Sequence, residues 1–255
     1  MFTMTSNNYT ARTERLVGVQ GIERLAQARV LVLGLGGVGS KCVEALARGG
    51  LGQLVLVDRD VIDQTNINRQ AIAFQSTVGK RKVDAMRDMV ADINPHAQVD
   101  IVHEFVQEDT LPALLDSWVL DNMYIVDALD TISTKLALAQ LAQERAFAQK
   151  GVKLIASMGG GMKLDPECLR FADIYDTQNC RMCRVMRKEC RKRGIHRLRV
   201  LYSCEEAAAA TAEPGTERSE RSGLGTMSYI PPIMGQMLAS WVIRDVLGVF
   251  DEAGK

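Results

Sequence analysis

The apolar run Val30-Leu31-Val32-Leu33 passes without interruption into Gly34-Leu35-Gly36-Gly37-Val38-Gly39 and then into a helical pattern over 38–48. Few folds accept that order. A strand that is apolar at every position must be covered on both faces, as in a parallel sheet flanked by helices. Glycines at the strand–helix turn let the main chain approach phosphate oxygens, and the N–H groups and dipole at the helix start favour an anion there. A second apolar run closes on Asp58, where a carboxylate can accept from ribose hydroxyls. Gly34, Gly36, Gly37, Gly39 and Asp58 are therefore expected to hold a nucleotide.

The surrounding rhythm agrees. Short apolar runs at 29–33, 53–58, 98–103, 123–127 and 152–156 alternate with helical stretches at 38–48, 78–93, 109–115 and 132–149. Such alternation predicts an α/β chain with a Rossmann-like, mainly parallel sheet and helices on both faces. Right-handed crossovers then gather the C-terminal ends of the strands at one edge, where ligands bind. Ahead of this unit, 10–27 reads as one or two helices broken at Gly18 and Gly21. After Ser157 come strands within 162–174, a very basic helix over about 181–193 and a strand at 198–202. An exposed, partly mobile loop at 205–225 and a last apolar helix over 235–247 complete the chain. With 255 residues and no internal repeat, one domain over 1–255 is expected. Its nucleotide-binding core spans about 28–157, and a C-terminal elaboration at about 158–255 serves substrate binding and dimerisation.

A glycine turn followed by an acid does not separate a dinucleotide from ATP. The next segment does. Asp60, Asp63, Thr65, Asn66, Asn68, Arg69 and Gln70 crowd carboxylates, amides and an arginine into one loop, which hydride transfer does not require. Phosphoryl chemistry does, because Arg69 can fork onto phosphate oxygens and Asn66 can donate to them. Lys82 on the next helix and Asp130 beyond the fourth strand reach the same sheet edge. There they suit charge neutralisation and Mg²⁺.

These motifs, with Thr77-Val78-Gly79-Lys80-Arg81-Lys82 and Asp127-Ala128-Leu129-Asp130, resemble the E1-like (ThiF/MoeB/HesA) superfamily over roughly residues 12–160. The resemblance implies an ATP site built from the glycine turn with Asp58, Asp60, Thr65, Asn66, Arg69, Gln70, Lys82, Asp130 and Thr131. Asp58 would take the ribose, Arg69 and Lys82 the phosphates and Asp130 the Mg²⁺. Arg15, in Glu14-Arg15-Leu16, resembles the arginine that reaches the partner subunit's ATP across a dimer interface. Arg15, Arg69, Lys82 and Asp130 would then be the catalytic set of a homodimer that adenylates a carboxylate.

Which carboxylate is a question for the C-terminal third. Lys163-Leu164-Asp165-Pro166, Val200-Leu201-Tyr202-Ser203 and 223–235 resemble the tRNA threonylcarbamoyladenosine dehydratase branch of the superfamily. That branch implies adenylation of the threonine carboxylate of a modified adenosine in tRNA, followed by ring closure with net loss of water. The alternative is an adenylyltransferase for the C-terminus of a ubiquitin-like sulfur-carrier protein. Independently, Arg184, Arg187, Lys188, Arg191, Lys192 and Arg193 concentrate positive charge on one helix, opposed there only by Glu189. This patch suits contact with a phosphate backbone. Zinc is disfavoured: Cys180-Arg181-Met182-Cys183 is a single pair, and only Cys190 and Cys204 follow it, against the four donors a structural site needs. Some members of that branch carry a cysteine shortly before the corresponding Gly-x-Gly, whereas none precedes Gly223-Leu224-Gly225 here. The resemblance then implies direct cyclisation on the adenylate, with Cys204 or Cys190 as a substitute only if the fold brings either to the site.

Composition narrows the rest. A net charge of zero provides no bulk attraction to nucleic acid or membrane, so a tRNA partner must use a local patch. No stretch reaches the about 20 apolar residues of a membrane span, and the N-terminus lacks a signal-peptide layout. Six cysteines in a chain of this size read as reduced thiols in the cytoplasm. A monovalent cation beside ATP and Mg²⁺ is left open, as is a cysteine desulfurase or other sulfur acceptor as partner.

Overall fold

Val30, Leu31, Val32 and Leu33 are all fully buried, and alternate residues go to opposite sides. Val30 and Val32 join one hydrophobic cluster, while Leu31 and Leu33 join another. This is the two-sided burial that a continuous apolar strand demands. In the computed structural model, which describes residues 9–144, 147, 149–206 and 225–249, this strand is β1 (Arg29–Leu33). It lies between β2 (Gln53–Val57) and β4 (Tyr124–Asp127), both parallel to it. With β3 (Gln98–Val102), β5 (Lys153–Ser157), β6 (Leu169–Asp173) and β7 (Arg199–Ser203) the sheet has the order β3-β2-β1-β4-β5-β7-β6. All neighbouring pairs are parallel except β6–β7. The strand order reverses direction at β1, which opens a crevice between the C-terminal ends of β1 and β4.

One face carries α2 (Gly39–Arg48), α3 (Lys82–Ile93) and α7 (Ile230–Leu247). The other carries α4 (Leu111–Trp118) and α5 (Ile132–Leu141). A third cluster seats α6 (Arg181–Lys192) through Cys183, Met186 and Cys190 against α5 and β7. The leading helix α1 (Ala11–Gln27) is kinked at Gly18, whose φ of 75° leaves the helical region. Gly21, expected as a second break, stays helical. A Cβ there would lie 3.1 Å from Leu247, so its smallness serves contact with α7.

Several boundaries differ from expectation, each for a local reason. The helix expected from residue 78 begins at Lys82, because Gly79 has φ 86° and Arg81 is extended and bridged to Val61. The last helix begins at Ile230 rather than Gly235. Pro231 and Pro232 occupy its first turn, where the missing N–H groups have no intrahelical partner to lose. Residues 162–174 yield one strand, β6, preceded by turns that include Met162 at φ 57°. α5 ends at Leu141, short of residue 149. Most of the expected mobile loop at 205–225 lies outside the described residues.

Candidate active site

The turn after β1 and the strand ends beside it enclose a cavity of about 470 Å³. Its shape begins with the glycines. Gly39 permits the α2 start to sit on the Gly34 carbonyl, which a Cβ would approach to 1.8 Å, while a Cβ on Gly36 would meet open space. Gly36 therefore presents bare main chain to the cavity, and Gly39 contributes strand–helix contact without being on the wall. Ser40 fastens the turn to the next loop: its Oγ donates to the Gly36 carbonyl at 2.7 Å and accepts from the Ala71 N–H at 3.0 Å. Sequence reasoning missed Ser40, since a serine inside a helical pattern carries no spacing signal.

Asp58 follows β2, and its two carboxylate oxygens accept main-chain N–H bonds from Leu35 at 2.6 Å and Asp60 at 2.7 Å. Burial pushes its carboxyl above the ordinary aspartate value, against the opposing pull of the Lys82 ammonium and these two N–H groups. Lys82, at the first position of α3, is 6% exposed in its side chain and donates to Asp60 Oδ2 at 2.8 Å. Arg69 is braced along its length: Nη1 donates to the Thr65 carbonyl at 2.9 Å and to Asn68 Oδ1 at 2.7 Å. Asp63 and Asn66 cap each other reciprocally around the short turn Gln64–Asn66. Thr65, expected to touch ligand, instead serves as this brace and is not among the lining residues. Gln70 is 7% exposed, lies on the wall, and its Oε1 has no hydrogen-bond partner among the described residues. A buried acceptor left open at a cavity wall is a place for a ligand donor.

Asp130 and Thr131 line the opposite wall, Thr131 donating to Asp130 Oδ1 at 3.3 Å. Beneath them Lys135, with a side chain of 0% exposure, donates to Asp127 Oδ1 at 2.9 Å and to the Ser157 carbonyl at 2.8 Å. It ties the ends of β4 and β5 together, and with them the loops that carry Asp130 and Gly160–Gly161. Arg59, stacked on the Phe105 ring at 3.5 Å, adds a mixed aromatic and cationic wall. None of these three was legible in the sequence, because each depends on residues distant along the chain. Asp130 can supply a divalent cation with one carboxylate beside phosphate oxygens, which is the sparse protein donor set that Mg²⁺ accepts.

The remaining sequence-predicted residues lie elsewhere. Arg15 is exposed on α1 and does not line the cavity of its own chain. On α6, Arg184, Lys188, Arg191 and Lys192 are exposed, with Arg191 over the Tyr175 ring and Lys192 paired to Glu189. Arg187 and Arg193 correct the expected patch. Arg187 turns inward to the Thr177 carbonyl at 2.7 Å, and Arg193 pairs with Glu108 at 3.2 Å. Cys180, Cys183 and Cys190 are buried in the α6 core, and among the described residues no group of three or more His, Cys, Asp or Glu is placed to hold a metal.

A crevice at the strand-order reversal, a glycine turn and converging cations define a nucleotide-binding α/β protein. The chain matches the ThiF family over residues 9–254 and belongs to that family. It is 37% identical over 246 residues to the tRNA threonylcarbamoyladenosine dehydratase of Bacillus subtilis (strain 168), covering 93% of this chain and 94% of that one. The crystal structure of the E. coli tRNA N6-threonylcarbamoyladenosine dehydratase in complex with ATP is similar at a TM-score of 0.80 and 26% identity, covering 94% of each chain. Similarity to the molybdopterin-synthase adenylyltransferase of Salmonella typhimurium (strain LT2), 38% over 116 residues, is confined to 46% of this chain. The chain thus falls in the dehydratase branch of the family.

Proposed function

We propose that this chain is an ATP-dependent tRNA threonylcarbamoyladenosine dehydratase. Its carrying observation is the cavity in which Asp58, Arg69, Gln70, Lys82 and Asp130 converge on the bare main chain of Gly36, in a chain similar along nearly its whole length to such dehydratases. The C-terminal third, where the similarity to the dehydratases continues, favours the tRNA substrate over the carrier protein.

The chemistry follows from a charge problem: a carboxylate must approach the α-phosphate, anion against anion. Arg69 and Lys82 neutralise the charge that accumulates as the carboxylate oxygen bonds to phosphorus and pyrophosphate leaves. Asp58 orients the ribose, and the α2 N-terminus and glycine-turn N–H groups receive phosphate oxygens. Mg²⁺, held by Asp130 together with phosphate oxygens, would supply further charge neutralisation. In the adenylated substrate, an atom of the same side chain attacks the activated carbonyl carbon and gives up its proton, while AMP departs with the former carboxylate oxygen. The ring closes with net loss of water. Exposed Arg184, Lys188 and Arg191 contact the tRNA backbone, and Arg15 completes the ATP site of a second copy. A tRNA substrate favours the cytoplasm as the compartment of the reaction.

The test is incubation with ATP, Mg²⁺ and threonylcarbamoyl-modified tRNA, followed by nucleoside mass analysis. Loss of one water matched by AMP release is expected, and Arg69→Ala or Asp130→Ala should abolish both in a folded protein. Pyrophosphate exchange that needs an added carrier protein and ignores tRNA would replace this reading with the adenylyltransferase one.

A further inference from the structure

Six cysteines divide by environment. Cys42, Cys180, Cys183 and Cys190 are buried, whereas Cys168 and Cys204 are partly exposed. The fold brings these two together. Leu169 stands opposite Ser203 in the antiparallel β6–β7 pair, so Cys168 and Cys204 are the next facing pair, one step past the strand ends. The Cys204 N–H donates to the Cys168 carbonyl at 2.9 Å, adding a rung to the ladder. Facing residues of an antiparallel pair have Cα atoms about 4.5–5.5 Å apart, within the span a disulfide bridges.

Their polar neighbours are opposite in charge. Arg170 Nε donates to Cys204 Sγ at 3.2 Å, whereas Cys168 donates its S–H to Asp165 Oδ2 at 3.3 Å. A guanidinium beside sulfur stabilises the thiolate, the nucleophilic form, and a carboxylate beside sulfur opposes it. In keeping with this, the hydrogen bond to Asp165 leads the causes that push the Cys168 thiol up to about 11. The pair is therefore asymmetric in its charged neighbours.

We propose that Cys168 and Cys204 form a reactive thiol pair that closes to an intramolecular disulfide by exchange with a low-molecular-weight disulfide, Cys204 attacking first. The Cys204 thiolate, its proton released to solvent, bonds to one sulfur of the disulfide RSSR and expels RS⁻, which takes up a proton. Cys168 then passes its proton to the Asp165 carboxylate, attacks Cys204 Sγ and expels the second RS⁻, which is protonated in turn. Two protein thiols are oxidised, RSSR is reduced to two RSH, and Asp165 returns its proton to solvent. The step is independent of what the nucleotide cavity binds, because none of these residues lines it. Its structural reach is local and defined. Glu205, next to Cys204, accepts N–H bonds from Leu164 and Asp165 at 3.0 Å, and Tyr229 donates to the Leu164 carbonyl at 2.8 Å. A covalent link at 168–204 would lock the joint between the antiparallel β6–β7 pair and the segment that enters α7.

The experiment uses the full chain, reduced, exposed to oxidised glutathione and mapped as proteolytic peptides without reduction. The peptides holding Cys168 and Cys204 should appear joined, with no glutathione retained. Cys168→Ser should trap a glutathione adduct on Cys204, Cys204→Ser should leave Cys168 free, and Arg170→Gln should slow adduct formation about tenfold, as expected for removing one charge-assisted hydrogen bond. Circular dichroism confirms that each variant is folded, with Cys168→Ala as the substitute should the serine fail. A link between Cys180 and Cys183 instead, an adduct on Cys168 in Cys204→Ser, or no reaction at either sulfur overturns the proposal.

Discussion

Asp58 commits one carboxylate oxygen to Leu35 and the other to Asp60, yet both keep lone pairs that can face a ribose. Its burial disfavours the charged form, so its carboxyl takes up a proton at higher pH than an exposed aspartate does. The sign has two consequences. For the ligand-free protein, stability from this group is complete below the unfolded-state pKa and declines as pH rises through the raised folded value. Nucleotide binding runs the other way, because only the carboxylate accepts at both oxygens. AMP affinity, measured by calorimetric titration, should fall as pH is lowered from neutrality toward the range just above the ordinary aspartate value. Asp58→Asn should weaken binding at neutral pH by about tenfold or more, the worth of a hydrogen bond to a charged group, and flatten that pH dependence. An unchanged slope in the variant would remove Asp58 from the ribose site.

At the level of elements, α2 and α7 approach each other more closely than side chains would allow. A Cβ on Gly235 would stand 2.3 Å from the Val38 carbonyl and 2.8 Å from the Cys42 nitrogen, both main-chain atoms with nowhere to move. Gly235→Ala should therefore cost about 1–3 kcal/mol, a melting temperature lower by several degrees for a chain of this size. An unchanged melting temperature would show the two helices to be less tightly apposed. The basic helix α6 makes a sharper distinction. Arg184, Lys188 and Arg191 face outward, so replacing them together with Gln should weaken tRNA binding. The slope of log affinity against log salt should also become shallower, by about 0.7–0.9 for each phosphate no longer neutralised. Arg187→Gln should act on melting temperature instead, since Arg187 caps Thr177. Equal effects on tRNA affinity from both variants would mean the patch is not read through its exposed face. Strands and helix faces such as these were legible because apolar period and Gly–Pro punctuation act locally. The start of α3 was not, because a left-handed Gly79 and the Val61–Arg81 bridge leave no mark in the periodicity.

For the whole molecule, the glycine turn, Asp58, Arg69, Lys82 and Asp130 could be read from the sequence because each follows a strand end, and a parallel sheet sends all strand ends to one edge. Lys135, Arg59 and Phe105 could not, since their partners are set by packing between crossovers. Arg15 belongs to neither group: it is exposed on α1 beside Leu16, which is 85% exposed. An exposed leucine next to an arginine that its own cavity does not use fits a surface completed by a second copy, as an isologous dimer would do. Light scattering after size exclusion should then give twice the chain mass. A stronger test separates the dimer from its catalytic meaning. Arg15→Ala and Arg69→Ala should each be inactive alone, because each site lacks one cation. Mixed and allowed to exchange, half of the dimers would be heterodimers, each with one site holding Arg69 from one chain and Arg15 from the other. Activity should return to about a quarter of the wild-type rate, the share of intact sites under two-fold symmetry. A mixture as inactive as its parents, with exchange verified by mass, would confine Arg15 to its own subunit.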